Sequence, residues 1–284
     1  MQIGVVGLGL IGGSLGYDLR RSDHQVWGLS RNPATCDRAI ALGICDCASD
    51  VITKIPDLGS TDLIVICTPI ASILPTLGQL VHHLSAHTVV TDVGSVKEVI
   101  VASAEQLWSK FVGSHPMAGT ALQGIEAAQA NLFSDRPCVI TPTPQTDPNA
   151  LALVKTFWQE LGTKLLECSP QNHDLAVAGI SHLPVFVSAS LISACTTEPN
   201  LEVLELAQAL ASSGFKDTSR VGGGNPELGR CMAEFNHAAL LLKLDRYQAS
   251  LEQVISWIRQ QDWEQVEDFL TNTQSDRAKF VPLG

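Results

Sequence analysis

The sequence is poor in basic residues and in aromatic side chains. Its 18 lysines and arginines are outnumbered by 29 aspartates and glutamates, which gives a net charge of −11, and aromatic residues make up only 5% of the chain. A surplus of negative charge opposes binding to nucleic acid and to anionic membranes. We therefore expect neither as a main partner, although a local group of basic residues can still bind a small anion.

Three other patterns are missing. The chain shows no basic and apolar leader of the secretory type, no continuous apolar run of roughly 18 residues, and no C-x-x-C pair among its eight cysteines. Cys45 and Cys47 are one residue apart, but no second pair nearby completes a tetrahedral metal site. These absences predict a cytoplasmic protein with reduced thiols, without a metal and without a membrane-spanning segment.

The chain does contain strand-like and helix-like segments that alternate over residues 1–168. The length of 284 residues suggests about two domains, and 45% apolar residues suffice for a packed core. Short apolar runs typical of buried parallel strands occur at 2–6, 25–30, 62–67, 88–92, 137–141 and 163–168, with another leading up to His115. The alternation predicts an α/β, Rossmann-type domain over residues 1–168, with a parallel sheet covered on both faces.

The pattern becomes helical after Cys168. Residues 169–284 have no convincing strand, and helices are expected at 173–195, 201–213, 226–235, 238–260 and 263–274. A wide apolar stripe follows one of them, formed by Leu240, Leu241, Leu244, Tyr247, Leu251, Val254, Ile255 and Ile258. The stripe predicts a helical domain that forms a homodimer, and the alternative is a core within one chain.

A glycine-rich loop follows the first strand and opens the first helix. It reads Gly7-Leu8-Gly9-Leu10-Ile11-Gly12, which is the G-x-G-x-x-G pattern of dinucleotide-binding folds. The first glycine allows a tight turn, the second lets the backbone approach a pyrophosphate, and the third lets the helix pack closely on the strand. The start of the helix then offers free N–H groups to the phosphates.

The end of the second strand discriminates between cofactors. NAD enzymes usually have a carboxylate there, about 20 residues beyond the motif, to bind the ribose 2′-hydroxyl. This chain instead has Ser30 and Arg31, with Thr35 nearby. Because a guanidinium can pair with a 2′-phosphate, the loop predicts NADP rather than NAD. The alternative is that Arg31 is a solvated loop residue.

Polar residues follow the later strands at the edge where open α/β sheets bind ligands. Cys67-Thr68-Pro69 comes at the end of the apolar run 62–67, and Gly94-Ser95 follows the run 88–92. His115 follows the next apolar run along the chain. We expect Thr68, Ser95 and His115 to converge near the nicotinamide. Ser95 is alternatively a helix N-cap, and His115 alternatively a buried structural histidine.

Small residues surround His115. Gly113, Ser114, Ala118 and Gly119 lie within four positions of it. We interpret the two glycines as clearance for a ligand ring beside a histidine that accepts a proton.

Five segments in order resemble the prephenate and arogenate dehydrogenase family of tyrosine biosynthesis, over nearly the whole chain. They are Gly4–Ser14, Asp92–Lys97, Gly113–Gly119, Ile180–Pro184 and Gly214–Arg220. The resemblance implies an oxidative decarboxylation in which hydride leaves ring C4 for the nicotinamide, the C4 hydroxyl becomes a carbonyl, carbon dioxide is lost and the ring becomes aromatic.

The resemblance also implies residue roles. His115 matches the family's catalytic histidine, which accepts the hydroxyl proton, and Ser95 matches the serine beside it. Arg220 matches the arginine that binds a substrate carboxylate, and His182 is expected to line the substrate pocket. Lys216 adds positive charge there or is a solvated loop residue. Taken alone, His182 would instead be a core histidine beside a helix kink at Pro184.

The substrate remains open between arogenate and prephenate. Val185 stands where many prephenate-using members have another histidine, which favours arogenate and puts tyrosine feedback through this motif in doubt. The NADP-type loop and the chain's compactness also favour arogenate. The alternatives are prephenate dehydrogenase, a β-hydroxyacid dehydrogenase with Lys243 as its catalytic lysine, and a non-catalytic NADP-sensing protein, which would have no reason to keep Ser95, His115 and Arg220 together.

Overall fold

The structure, a computed structural model, describes residues 1–120 and 122–281. Its described residues form an eight-stranded sheet in the order β3-β2-β1-β4-β5-β6-β7-β8. The strands are β1 Gln2–Val6, β2 Gln25–Leu29, β3 Cys47–Ser49, β4 Leu63–Ile66, β5 Val89–Asp92, β6 Phe111–Pro116, β7 Pro137–Thr141 and β8 Lys164–Glu167. Strands β1 to β6 are parallel, which confirms the predicted Rossmann-type sheet.

Helices cover both faces of this sheet. They are α1 Leu10–Arg21, α2 Pro33–Ala41, α3 Ile70–Leu80, α4 Glu98–Leu107 and α5 Pro148–Glu160. Along β4, Leu63 and Val65 belong to one buried cluster, whereas Ile64 and Ile66 belong to the other. Successive side chains of a strand point to opposite faces, so a strand buried on both sides favours apolar residues at every position. This explains the continuous apolar run of β4 and Cys67, which follows Asp62.

Two parts of the sheet differ from the sequence prediction. Strand β3 was not predicted, because its three residues carry no apolar run. Strand β7 runs antiparallel to β6, whereas the alternating pattern predicted parallel strands throughout. A parallel neighbour requires a crossover connection, usually a helix. The described part of the connection from β6 to β7 has only the short 3₁₀ turn Ile125–Ala127, so β7 returns in the opposite direction.

The helices that follow the sheet are α6 Pro170–Val177, α7 Leu183–Thr196, α8 Leu201–Leu210, α9 Ser213–Ser219 and α10 Pro226–Phe235. Sequence reasoning predicted one helix over 173–195, but a π-helical turn at Ala178–His182 separates α6 from α7. Pro184, in the first turn of α7, has no N–H to continue the regular ladder. Helix α9 was not predicted.

The chain divides into two compact units, Met1–Asn236 and a second that begins at His237. The predicted boundary between domains 1–168 and 169–284 falls where the sheet ends, and it stays a prediction. The compact unit extends further because α6 packs against α4, where Asp174 binds the backbone N–H groups of Lys97 and Glu98.

The second unit contains α11 His237–Gln260 and α12 Trp263–Phe280. The rings of Trp257 and Phe269 pack with their centroids 5.8 Å apart. Within this single chain, much of the predicted apolar stripe is exposed, including Leu241, Tyr247, Leu251, Ile255 and Ile258.

One helical stretch, Pro170–Thr196, is long and apolar enough to cross a membrane by length and composition alone. Sequence reasoning expected no such segment. Core helices of soluble proteins share this length and composition.

Candidate active site

A cavity of about 860 Å³ opens at the carboxyl ends of the parallel strands. It lies where the chain reverses its order between β1 and β4, which is where doubly wound sheets bind ligands. Most of the predicted residues line it: Gly7, Gly9, Ile11, Ser30, Arg31, Thr35, Cys67, Thr68, Pro69, Gly94, Ser95 and His115. Leu10, Gly12, Lys216, His182 and Arg220 are not among the lining residues.

The glycine-rich loop has the predicted geometry. Gly7 adopts a φ of +101°, and a Cβ there would lie 2.8 Å from the carbonyl group of Cys67. A Cβ on Gly12 would lie 2.0 Å from the carbonyl oxygen of Gly7, whereas one on Gly9 would meet no atom within 4 Å. Helix α1 begins without a side-chain cap. Free N–H groups and open space at Gly9 therefore fit the pyrophosphate of a dinucleotide.

The end of β2 forms another part of the cavity wall. Ser30, Arg31 and Thr35 line it, and Arg31 is exposed. Asp50, which follows β3, also lines the cavity, and its carboxylate is 3.9 Å from the ammonium of Lys54. Sequence reasoning missed Asp50 because it missed the strand that positions it.

Two cavity-lining hydroxyls lack partners. The Oγ1 of Thr68 and the Oγ of Ser95 are buried without a hydrogen bond to any described residue. Helix α4 begins at Glu98 with Lys97 at its N-cap position, so Ser95 is not an N-cap. Buried polar atoms are rarely left unpaired, which indicates that a ligand supplies their partners. Both hydroxyls fit the polar end of a nicotinamide cofactor and its substrate.

His115 lies inside β6 rather than after it, where it pairs with Val139 of β7. Its ring reaches the cavity with only 8% of the residue exposed. The interpretation of Gly113 as clearance for a ligand is wrong, because a Cβ there would lie 2.5 Å from Val101 and 2.6 Å from Thr141. Gly113 therefore lets β6 pack closely, whereas Gly119 does face open space.

A buried ion pair connects the end of β5 with β6. The ammonium of Lys97 contacts the carboxylate of Asp92 and donates to the carbonyl oxygen of Ser114 at 2.8 Å, with both charged side chains fully buried. Burial lowers the pKa of Lys97, and the carboxylate of Asp92 opposes that change. Both residues belong to the segment Asp92–Lys97 of the predicted family resemblance, but the sequence alone assigned neither of them a role. The signal was an aspartate and a lysine flanking the glycine and serine at a strand end.

His115 forms a hydrogen bond with a second histidine. Its Nδ1 lies 2.8 Å from the Nε2 of His173, and the Nδ1 of His173 lies 2.7 Å from an oxygen of Asp174. Burial is the largest cause that holds the pKa of His115 well below its usual value, followed by His173, Lys97 and His182. His115 therefore stays neutral at neutral pH. Sequence reasoning missed His173 and Asp174, although two titratable neighbours at a helix start were a visible signal.

His182 is fully buried on the π-helical turn. Its Nδ1 lies 3.2 Å from the side-chain nitrogen of Asn236, which also donates to the backbone carbonyl of Asp174 at 3.0 Å. The amide nitrogen can only donate, so Nδ1 accepts and the proton of the neutral ring is on Nε2. That Nε2 is buried without a partner among the described residues. Burial lowers the pKa of His182 to about 4, so the ring offers an unpaired neutral donor.

Arg220 and Lys216 are exposed. Lys216 lies on α9, and Arg220 follows its last residue. The turn after Arg220 is fixed because the N–H of Gly222 donates to the hydroxyl of Ser188 on α7 at 2.8 Å. The structure therefore anchors the backbone beside Arg220 and leaves its side chain away from the cavity.

Two family models match the chain in succession. The model of the prephenate dehydrogenase nucleotide-binding domain matches residues 15–167, which is more than half of the chain. The model of the prephenate dehydrogenase dimerization domain matches residues 169–272. The chain belongs to the prephenate dehydrogenase family.

Similar proteins agree with this family. A crystal structure of Synechocystis arogenate dehydrogenase is 52% identical, with a TM-score of 0.89, and the match covers 99% of this chain and 100% of that one. A prephenate dehydrogenase from Aquifex aeolicus, solved with hydroxyphenyl propionate and NAD⁺, is 31% identical with a TM-score of 0.93, covering 99% and 98%. The prephenate dehydrogenase of Bacillus subtilis is 30% identical over 98% of this chain and 76% of its own length.

These findings confirm the predicted family, the Rossmann-type fold and an oxidoreductase of tyrosine biosynthesis that acts on arogenate or prephenate. They also establish that the cofactor is a nicotinamide dinucleotide and the substrate a small molecule. When bound, that cofactor accepts the hydride that leaves the substrate.

Proposed function

We propose that this enzyme oxidises arogenate with NADP⁺ and releases tyrosine and carbon dioxide. The observation that carries the proposal is a single cavity lined by Arg31 as well as by Ser95 and His115. The similarity to the Synechocystis arogenate dehydrogenase, which extends over almost the full length of both chains, supports the substrate. The alternative substrate is prephenate, which would give 4-hydroxyphenylpyruvate.

In this proposal His115 is the proton acceptor. Its neutral ring accepts the hydrogen bond of the C4 hydroxyl and then its proton, while hydride leaves the same carbon. Such a group typically contributes about 10²–10⁴-fold to the rate. The unpartnered hydroxyl of Ser95 bonds the same substrate hydroxyl and holds it in line with His115.

Three residues of the helical segment 170–236 bind the substrate in this proposal. Arg220 pairs with a carboxylate, a task that suits a bidentate guanidinium. The Nε2–H of His182 donates to a substrate oxygen, since a buried unpaired donor is costly without a ligand. Lys216 adds positive charge near Arg220. Because Arg220 and Lys216 are exposed in this structure, we infer that substrate contact requires their side chains to turn towards it.

The preference for NADP⁺ rests on the loop after β2. Arg31 pairs with the 2′-phosphate, and Ser30 and Thr35 donate hydrogen bonds to it. Asp50 acts against a preference for NADP⁺, because a carboxylate in this part of the cavity repels a phosphate and suits a ribose hydroxyl. Lys54, at 3.9 Å, offsets part of the charge of Asp50.

We propose arogenate rather than prephenate because Val185 replaces a histidine that many prephenate-using members carry. Val185 is half-buried and would lie 3.8 Å from a Cβ on Gly229, so it packs against α10. An apolar side chain here removes one polar partner for a keto acid. The same loss argues against feedback by tyrosine through this motif.

The homodimer and the cytoplasmic location are also part of the proposal. The match to a dimerization domain and the exposed apolar residues of α11 support a dimer formed through the predicted helical domain of residues 169–284. An intracellular biosynthetic enzyme of this family works in the cytoplasm, without membrane or nucleic acid as a partner. A β-hydroxyacid dehydrogenase would need Lys243 as a catalytic base, and the family match gives that alternative no support.

The decisive experiment measures reduction of the nicotinamide with four pairs of reactants: arogenate or prephenate, each with NADP⁺ or NAD⁺. We expect the highest kcat/KM with arogenate and NADP⁺. A higher kcat/KM with prephenate would transfer the assignment to the alternative, and a higher kcat/KM with NAD⁺ would overturn the role of Arg31.

A further inference from the structure

The proton acceptor proposed above creates an electrostatic problem. His115 is nearly buried, and a positive charge formed on its ring would have to exist in a site of low polarity. The ammonium of the buried Lys97 opposes a further positive charge nearby. Burial and these neighbours hold the pKa of His115 low, which makes the isolated ring a weak base. The structure places an additional group where it can relieve that problem.

The additional group is the pair His173 and Asp174 at the start of α6. Both residues are only 2% exposed, and the chain His115–His173–Asp174 is continuous through contacts of 2.8 and 2.7 Å. Asp174 also accepts from the backbone N–H groups of Lys97 at 2.8 Å and Glu98 at 2.9 Å. These N–H groups lie at the N-terminus of α4, and the helix dipole there favours a negative charge.

The hydrogen-bonding capacity of each group assigns the protons in the row His115–His173–Asp174. The carboxylate of Asp174 can only accept, so the Nδ1 of His173 carries a proton and donates it. The Nε2 of the neutral His173 then has a lone pair, and it accepts from the Nδ1–H of His115. The neutral His115 therefore keeps its Nε2 free of a proton, which is the state that a general base needs.

We propose that His173 and Asp174 form a proton relay behind His115, so that the positive charge produced during oxidation comes to rest on His173 beside the Asp174 carboxylate. This inference rests on the proposed oxidation of a ring hydroxyl. The O–H bond of the hydroxyl breaks as a bond to the Nε2 of His115 forms, while the C4–H electron pair leaves as hydride. The Nδ1–H bond of His115 then breaks as a bond to the Nε2 of His173 forms.

The charged and titratable groups around the two rings favour proton transfer from His115 to His173. Asp92 on β5 is paired with Lys97, which follows the same strand. Burial raises the pKa of the Cys138 thiol on β7 so far that it stays neutral, and His182 on the π-helical turn stays neutral as well. Asp174 is therefore the carboxylate that directly contacts the pair. His173 and Asp174 act as positioning residues through His115.

Two substitutions separate the relay from simple support of the fold. His173→Gln keeps an oxygen that can accept from the Nδ1–H of His115 but cannot hold the positive charge, whereas His173→Phe removes both abilities. We expect kcat to fall by about tenfold or more in the first variant and further in the second, with little change in cofactor affinity. The exposed histidine variant His82→Gln is the matched control and should keep the wild-type kcat.

The pH profile gives the readout that a structural role would not produce. In the wild type, a proton taken up by the free enzyme at His115 can pass to His173, and this uptake sets the acid limb of kcat/KM. Without His173, the proton can no longer move to a ring beside Asp174 and stays on the buried His115. Loss of His173 also removes one influence that lowers the pKa of His115, but burial, the largest influence, remains. The acid limb should therefore move to lower pH by about one unit. An acid limb that stays in place, or that moves up as water enters the site, overturns the relay.

A measurement on the unmodified protein is independent of catalysis. NMR of the imidazole nitrogens should find the neutral His115 protonated on Nδ1, in the free enzyme and with NADP⁺ bound. A neutral His115 that carries its proton on Nε2 overturns the relay, whichever substrate the enzyme oxidises. Absence of activity with both arogenate and prephenate would instead refute the proposed function and leave this tautomer as a separate result.

Discussion

The carboxyl edge of the sheet and the helical segment of residues 170–236 hold the predicted site residues in different ways. At the sheet edge, Thr68, Ser95 and His115 line one cavity. In the helical segment, Arg220 is exposed and His182 is buried, and neither lines that cavity. Parallel strands bring their ends together whatever lies between them, whereas side chains on helices reach a site only through tertiary packing. The sheet edge therefore already brings its predicted residues together, whereas the predicted residues of the helical segment do not reach the same cavity in this structure.

The largest effect should come from the sheet edge. We expect His115→Ala to lower kcat by at least about a hundredfold, because it removes the proposed proton acceptor. Affinity for NADP⁺ should remain nearly unchanged, as measured by a binding titration beside the rate assay. The exposed His82→Gln serves as the control. A variant with a kcat close to that of the wild type would remove His115 from its role.

The helical segment should respond in KM rather than in kcat. We expect Arg220→Ala to raise the KM for arogenate by about 10- to 100-fold, because hydrogen bonds to charged groups contribute more than neutral ones. Arg230→Ala is the matched control, since it removes the same charge from an exposed ion pair with Glu234 on α10. Similar KM values for the two variants would contradict the carboxylate role of Arg220.

A smaller effect is expected at the loop after β2, where the cofactor affinity should change. Arg31→Ala should weaken the binding of NADP⁺ by roughly tenfold and that of NAD⁺ much less, because only the former carries a 2′-phosphate. Arg21→Ala, at the exposed end of α1, should leave both affinities unchanged. Asp50→Asn sharpens the result, since removal of that carboxylate should favour NADP⁺ further. Equal losses for both cofactors in Arg31→Ala would contradict the assignment.

The smallest effect concerns stability rather than turnover. His182 has a folded pKa of about 4, below its ordinary value of 6.5, so the unfolded chain binds more protons between these pH values. The free energy of unfolding should therefore be retained above pH 6.5 and fall by about 1.4 kcal/mol per pH unit below it from this group. Urea unfolding at several pH values should show a shallower slope in His182→Gln than in His82→Gln. Equal slopes would show that His182 does not titrate in this way.

The difference between the sheet edge and the helical segment also determines which features could be predicted from the sequence. The glycine loop, the strand ends and His115 were identifiable because each motif has a fixed position relative to a strand. Strand β3 and the antiparallel β7 were not, since a three-residue strand has no pattern and direction depends on the connection. His173, Asp174 and Asn236 escaped because their importance comes from contacts between distant segments. Lys97 was visible as a residue, but its burial against Asp92 was not.

His115 lies within β6, which pairs with β5 at Phe111 and Val112 and with β7 from Gly113 to Pro116, so β7 holds the backbone at His115 itself. The proposed base is therefore carried by a strand rather than by a mobile loop, so little reorganisation is needed when the proposed substrate hydroxyl arrives. Such a strand exchanges its amide hydrogens only through large-scale opening of the protein. The cofactor loop after β2 can therefore change its residues, and with them the nucleotide that it selects, without disturbing the alignment of the base.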